Sequence, residues 1–180
     1  MGRLLIILTV LTVGFLSSCT SVGTSEVSAS TTGYFPGVGG LNLLGENKTF
    51  PQCLDKEKTI AIVAFERWQQ EWVDEWYAVI EQEQKSNSQL AYYEVPTIAK
   101  LSAPVRWWIY NGMRGGITDE YMRSRVITLH IDKEKFKQQL SITDEKLVYV
   151  YVLTPNGRII AQSEGRFSAE KWFELLQKIK

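Results

Sequence analysis

The chain reads as an α/β domain of three layers, a central mixed sheet flanked by helices, and three observations carry that reading. Residues Thr59 to Phe65, T-I-A-I-V-A-F, form a nearly continuous apolar run of strand length, the pattern of a central strand covered on both faces. An amphipathic segment follows it directly. Near the C-terminus, the apolar run L-V-Y-V-Y-V-L (Leu147 to Leu153), the turn Pro155-Asn156-Gly157 and the returning Arg158 to Gln162 spell a β-hairpin, and a second amphipathic segment closes the chain.

The first 18 residues have the three parts of an export signal: Arg3 as the charged start, Leu4 to Leu16 as the apolar stretch, and small residues before a cleavage point. The apolar stretch is shorter than the roughly 20 residues a spanning helix needs. Leu16-Ser17-Ser18-Cys19 resembles the lipobox of a bacterial lipoprotein, which implies cleavage before Cys19 and lipid on its thiol. Cys19 is then a tether to a membrane of the cell envelope and not a catalyst. Thr20 follows it in place of Asp, and by resemblance to the sorting pattern of Gram-negative lipoproteins this favours the outer membrane, on its periplasmic face. Residues 19–33 are Ser-, Thr-, Gly- and Val-rich without periodicity and read as a flexible leash, with a reach on the order of 20 Å. A single domain is expected over 34–180.

Charge excludes one class of partner. Loss of residues 1–18 removes Arg3 alone and leaves 19 basic against 20 acidic groups. A nucleic-acid binder carries a basic excess or stripe, and this chain has none. Cys53 is the only cysteine besides Cys19, so the domain holds no internal disulfide and relies on a packed core.

Within the domain, Trp68, Trp72, Val73, Trp76 and Ile80 recur at helical spacing opposite Gln69, Gln70, Glu71, Asp74, Glu75 and Glu81, so the helix after the first core strand is expected to end near Lys85 with the three tryptophans packed on the sheet. A second strand fits Leu90 to Val95 and stops at Pro96; a third fits Val126 to Ile131. The stretch Thr97 to Arg125 between them reads as an insertion. After the hairpin, Gly165 breaks the strand and Ser168 caps a helix with Glu170 and Lys171 in its first turn and Trp172, Phe173, Leu175, Leu176 and Ile179 on its inner face.

That order of elements resembles the thioredoxin fold over Leu43 to Lys180. Leu43 to Pro51, L-L-G-E-N-K-T-F-P, is similar to the segment that leads into the first core strand of peroxiredoxin-type and TlpA-type members, and V-Y-V-L-T-P-N-G-R-I-I-A-Q-S-E-G is similar to their hairpin. The chain departs from the active members where chemistry resides. They carry a Cys, usually C-x-x-C, between the first strand and its helix, where the helix N-terminus lowers the thiol pKa; here Phe65 to Trp72 reads F-E-R-W-Q-Q-E-W. The proline that commonly precedes the fourth strand is also missing from Ser141 to Lys146. Among cysteine-free relatives, V-A-F-E-R-W-Q-Q-E-W-V-D-E-W with V-Y-V-L-T-P-N-G-R-I-I most resembles the mitochondrial ATP-synthase assembly factors, chaperone-like proteins that attend a membrane subunit. The resemblance implies a protein client.

Few residues offer chemistry. Cys53, in P-Q-C-L-D, is a free thiol ahead of the first core strand with no helix N-terminus to activate it. His130 is the only histidine, which excludes an ordinary zinc site, and no cofactor is expected. Glu71 and Glu75 lie one turn apart on a polar helix face and read as solvated. Trp107 and Trp108 differ from the other tryptophans: neighbours on a helix point about 100° apart, so both rings cannot be buried on one face. With Arg106, Tyr110, Met113 and Arg114 close by, and Gly115-Gly116 marking a flexible or tight connection, they form a candidate partner contact. The expectation is a lipid-anchored, redox-inactive thioredoxin-like protein that acts by binding, as a chaperone or assembly factor. The competing classes are a divergent thiol-dependent peroxidase or reductase using Cys53, and a purely structural envelope lipoprotein.

Overall fold

The computed structural model describes residues 33–180; the signal segment, Cys19 and most of the leash lie outside the described residues. Seven strands form one mixed sheet: β1 (Gly39–Asn42), β2 (Asn47–Thr49), β3 (Lys58–Ala64), β4 (Leu90–Ala99), β5 (Ile127–Ile131), β6 (Tyr149–Leu153) and β7 (Ile159–Glu164), in the spatial order β2-β1-β5-β4-β3-β6-β7. β3 lies parallel to β4 and antiparallel to β6, and β4 lies parallel to β5. The helices are α1 (Gln70–Gln84), α2 (Ala103–Gly116), α3 (Glu120–Arg125), α4 (Lys133–Leu140) and α5 (Ala169–Ile179).

Two cores sit on the two faces of the sheet. On one, Ile60, Ile62, Val150 and Val152 meet Val73, Trp76 and Ile80 of α1 and Leu175 and Ile179 of α5. Trp76 is fully buried, and its indole N–H donates to the Gly165 carbonyl at 3.0 Å. On the other, Ala61, Val63, Val95 and Leu129 meet Phe35, Phe50 and, from α4, Phe136 and Leu140. The unbroken apolar character of Thr59 to Phe65 thus has the cause inferred for it, burial on both sides.

The structure corrects several expectations. β4 does not stop at Pro96. It pairs with β3 up to Ala64↔Pro96 and with β5 at Glu94↔Val126 and again from Thr97↔Leu129, so the proline falls at the end of one ladder and in a gap of the other. Residues Thr97 to Ala99 of the expected insertion are therefore strand. Trp68 is not core: it lies in the 3-10 turn Arg67–Gln69 ahead of α1, is 51% exposed, and packs edge-on against Trp72. Phe173 is 62% exposed because Trp172, Leu175, Leu176 and Ile179 share a stripe of α5 and Phe173 falls a quarter-turn outside it. The polar stretch Lys133–Leu140 is an unanticipated helix, started by Asp132, whose carboxylate accepts the Lys135 N–H at 3.2 Å, and held by only Phe136 and Leu140. The lead-in Leu43 to Pro51 contains β2 and its turn from β1, with Gly45 at φ +88°.

Glu94 shares the α1 face of β4 with Tyr92, and burial pushes its carboxyl up to about 7 despite a hydrogen bond from Gln70. The fold disfavours the ionised form, so this destabilisation is absent below the ordinary carboxylate range and grows as pH rises towards 7. Glu94→Gln is expected to exceed the wild type in urea-unfolding stability at pH 8, by up to about 3 kcal/mol, with the two equal near pH 4.

Candidate functional site

At the junction of β3 and α1, where active thioredoxins carry their thiols, the chain closes with an amide. Gln69 is fully buried; its Oε1 accepts the backbone N–H of Phe65 at 2.7 Å and of Glu66 at 2.9 Å, and its Nε2 donates to the Glu145 carbonyl at 2.9 Å. One side chain thus ties the strand end to the loop before β6. Glu145 in turn pairs with Lys133 and, at 2.8 Å, with Lys137 of α4. This corner is saturated with internal bonds and offers neither a thiol nor an open donor to a substrate.

Cys53 is partly buried against the second core. Its backbone N–H donates to the Thr49 carbonyl at 2.9 Å, and its carbonyl accepts the Tyr93 hydroxyl at 3.2 Å. Burial pushes the thiol up to about 11, so a neutral solution holds about one thiolate in ten thousand. Glu71 and Glu75 are exposed to intermediate in burial and both meet Arg166, whose Nη2 lies 3.0 Å from Glu71; the guanidinium holds the Glu75 carboxyl below its ordinary range. They form a surface ion-pair cluster and not an acid/base pair. Among the described residues no group of three or more His, Cys, Asp or Glu side chains is placed to hold a metal.

α2 lies wholly at the surface. None of its residues is buried, and Trp107 and Trp108 are 68% and 72% exposed. Arg106 and Arg114 are exposed beside them, while Tyr110 and Met113 turn half-buried toward the sheet, Met113 Sδ lying 3.9 Å from the Thr128 hydroxyl. All six candidate contact residues therefore belong to one helix. The Gly115-Gly116 pair ends that helix, and the connection to α3 is tight: Arg123 donates from Nε to the Ile117 carbonyl at 2.6 Å and from Nη2 to the Arg114 carbonyl at 3.0 Å. Between α2 and the β1–β2 hairpin lies a groove of about 550 Å³, walled by Arg106, Trp107, Tyr110 and Lys48 and floored by Gly40 and His130. Lys48 and His130 had no signal in sequence as members of a site, because the sheet brings them to α2 from 60 and 20 residues away.

The model of the ATP10 protein family matches residues 25–179. The chain belongs to this family. Among solved structures it is similar to the thioredoxin domain of a thiol-disulfide oxidoreductase from Bacteroides vulgatus (12% identity, TM-score 0.54, 82% of this chain and 96% of that one). It is similar too to an exposed lipoprotein thioredoxin from Streptococcus pneumoniae (9%, 0.53, 79% and 99%). A third likeness is to BsSco, a member of the Sco family of cytochrome c oxidase assembly proteins (9%, 0.54, 83% and 93%). These likenesses show a thioredoxin-like fold. No curated protein matches the chain. In this ATP10-family chain, Gln69 is the residue that sequence reasoning missed; its polar type on an otherwise helical face gave no sign that it would be buried.

Gln69→Leu is expected to lower unfolding stability by about 2–4 kcal/mol, since it leaves the Phe65 N–H and the Glu145 carbonyl unpaired, whereas Arg67→Ala on the exposed side of the same turn stays within about 0.5 kcal/mol. Alkylation of Cys53 is expected to be slow at neutral pH and to accelerate about tenfold per pH unit until pH nears 11; a fast, pH-independent rate between pH 6 and 8 contradicts the quiet-thiol assignment.

Proposed function

We propose that this chain is a redox-inactive, thioredoxin-like assembly factor of the cell envelope, tethered by lipid at Cys19, that binds a membrane-bound client through α2 and catalyses no reaction. The observation that carries the reading is α2 itself: a helix with two adjacent tryptophans in solvent, flanked by arginines and with no buried residue. Indole and guanidinium groups dominate the energetics of protein interfaces, and adjacent exposed indoles rimmed by polar residues are the kind of patch that marks one. Family membership supports the assembly role and the protein partner. Replacement of the thiol site by the Gln69 bonds, together with the raised pKa of Cys53, supports the absence of redox turnover. The lipid anchor rests on Leu16-Ser17-Ser18-Cys19, and none of the described helices is long and apolar enough to cross a membrane in its place.

The test uses the full chain in its host, with a photo-crosslinking amino acid at the exposed α2 position Asn111. A discrete partner is expected in the membrane fraction, with a yield at least about tenfold lower in the Trp107→Ala, Trp108→Ala double variant, the loss of one good hot spot. Cys19→Ser is expected to shift the protein away from the lipid-modified form without abolishing capture by α2. Equal yields with and without the two indoles remove the contact, and unaltered lipid labelling of Cys19→Ser removes the anchor.

A further inference from the structure

The groove behind α2 has a charge pattern of its own. Its charged walls are Lys48 and Arg106, and no carboxylate lines it. Lys48 is paired with Glu46 at 3.0 Å, whereas Arg106 has no ion-pair partner among the described residues, its Nη1 lying 3.4 Å from the Leu101 carbonyl. Near Arg106, His130 lines the groove from β5. The cavity is thus cationic, with one guanidinium that has no ion-pair partner among the described residues.

Its shape is equally specific. Gly40 brings its two strands together: a Cβ there would stand 2.2 Å from the Thr128 carbonyl oxygen, so only glycine allows β1 to lie this close to β5. At one end the Tyr110 hydroxyl approaches Gly45, 3.6 Å from where a Cβ would be. Along the other wall runs β2, the edge strand of the sheet, whose outer side has no strand neighbour among the described residues. An aromatic-walled cleft beside a strand edge with no strand neighbour among the described residues accommodates extended chain.

We infer that this groove receives an extended acidic segment of the protein partner, with one carboxylate on Arg106 near His130 and apolar flanks against Trp107 and Tyr110. The inference rests on α2 being the partner contact and names the chemistry of what it meets. A single unpaired guanidinium matches a single carboxylate in bidentate geometry. A phosphate or an anionic lipid headgroup calls for several converging donors, and here the second cation already has Glu46.

The decisive experiment places the photo-crosslinker at Asn47, on the β2 wall of the groove, in the full chain, and maps the adduct by mass spectrometry, alongside the Asn111 probe on the outer side of α2. The adduct is expected on a partner segment that contains Asp or Glu. Arg106→Glu is expected to lower the Asn47 yield about tenfold, Arg106→Lys to retain most of it, and reversal of the partner's carboxylate to Lys to restore it in the Arg106→Glu background. An adduct on phospholipid, a segment without an acidic residue, or a yield unmoved by Arg106→Glu overturns the inference. Capture from Asn111 without capture from Asn47 overturns the groove alone and leaves the binding role; no capture from either overturns both.

Discussion

The organising constraint is β3, a strand hydrogen-bonded on both edges and covered on both faces. Residues Ile60 to Val63 are fully buried, so every other element is placed by the need to finish that enclosure. The parallel partner β4 requires a crossover, which α1 supplies, and the antiparallel partner β6 requires only the tight hairpin to β7 and the return of α5. The opposite face needs a second cover, and α4 with Phe35 and Phe50 provides it. At the carboxyl end of β3 the enclosure is sealed by the Gln69 amide, so the same residue that completes the fold also occupies the corner where relatives of this fold carry reactive thiols.

The legible parts of the fold were those where one physical signal dominates. The apolar runs at Thr59 to Phe65 and Leu147 to Leu153, the Asn-Gly turn and the Ser168 cap each rest on local chemistry, and each marks an element that forms, β6 starting two residues late at Tyr149 and the Ser168 side chain accepting the Lys171 N–H at 3.4 Å. What stayed hidden depends on tertiary context. α4 has only two apolar residues, too few to declare an amphipathic face, and is a helix because the sheet offers Phe136 and Leu140 a place to pack. Trp68 matched the spacing of Trp72 and Trp76 but fell before the helix began, where the 3-10 turn rotates it outward. Pro96 is compatible with a strand because it falls at the end of the β3 ladder and in a gap of the β5 ladder, and no local rule contains that register.

The candidate site divides in the same way. Exposure of Trp107 and Trp108 followed from helix geometry, since two adjacent rings cannot share one buried face. The groove did not, because its far wall is a hairpin roughly sixty residues upstream and its floor is built by β1 and β5 pairing antiparallel. Side chains such as Lys48 and His130 have unremarkable surroundings in sequence; they line a groove only because the sheet delivers them opposite Arg106.

The position of α2 connects these observations. In α/β folds, binding sites gather beyond the carboxyl ends of parallel strands, where loops are free to vary without disturbing the sheet. β3 and β4 are parallel and adjacent, so the Phe65 to Gln69 corner and the start of α2 after Ala99 lie at the same end of the sheet. A redox thioredoxin uses the first of these positions. Here Gln69 fills it with internal hydrogen bonds, and the neighbouring crossover from β4 to β5 is expanded into α2 and α3, which present indoles and an unpaired guanidinium instead of a thiolate. The glycines of α2 answer to no packing: Gly112, Gly115 and Gly116 have no atom within 4 Å of a would-be Cβ among the described residues, although an interior glycine such as Gly112 weakens a helix by about 1 kcal/mol relative to alanine. α2 is thus a helix of small and exposed residues laid over the sheet, its two tryptophans in solvent and its fold owed little to the core.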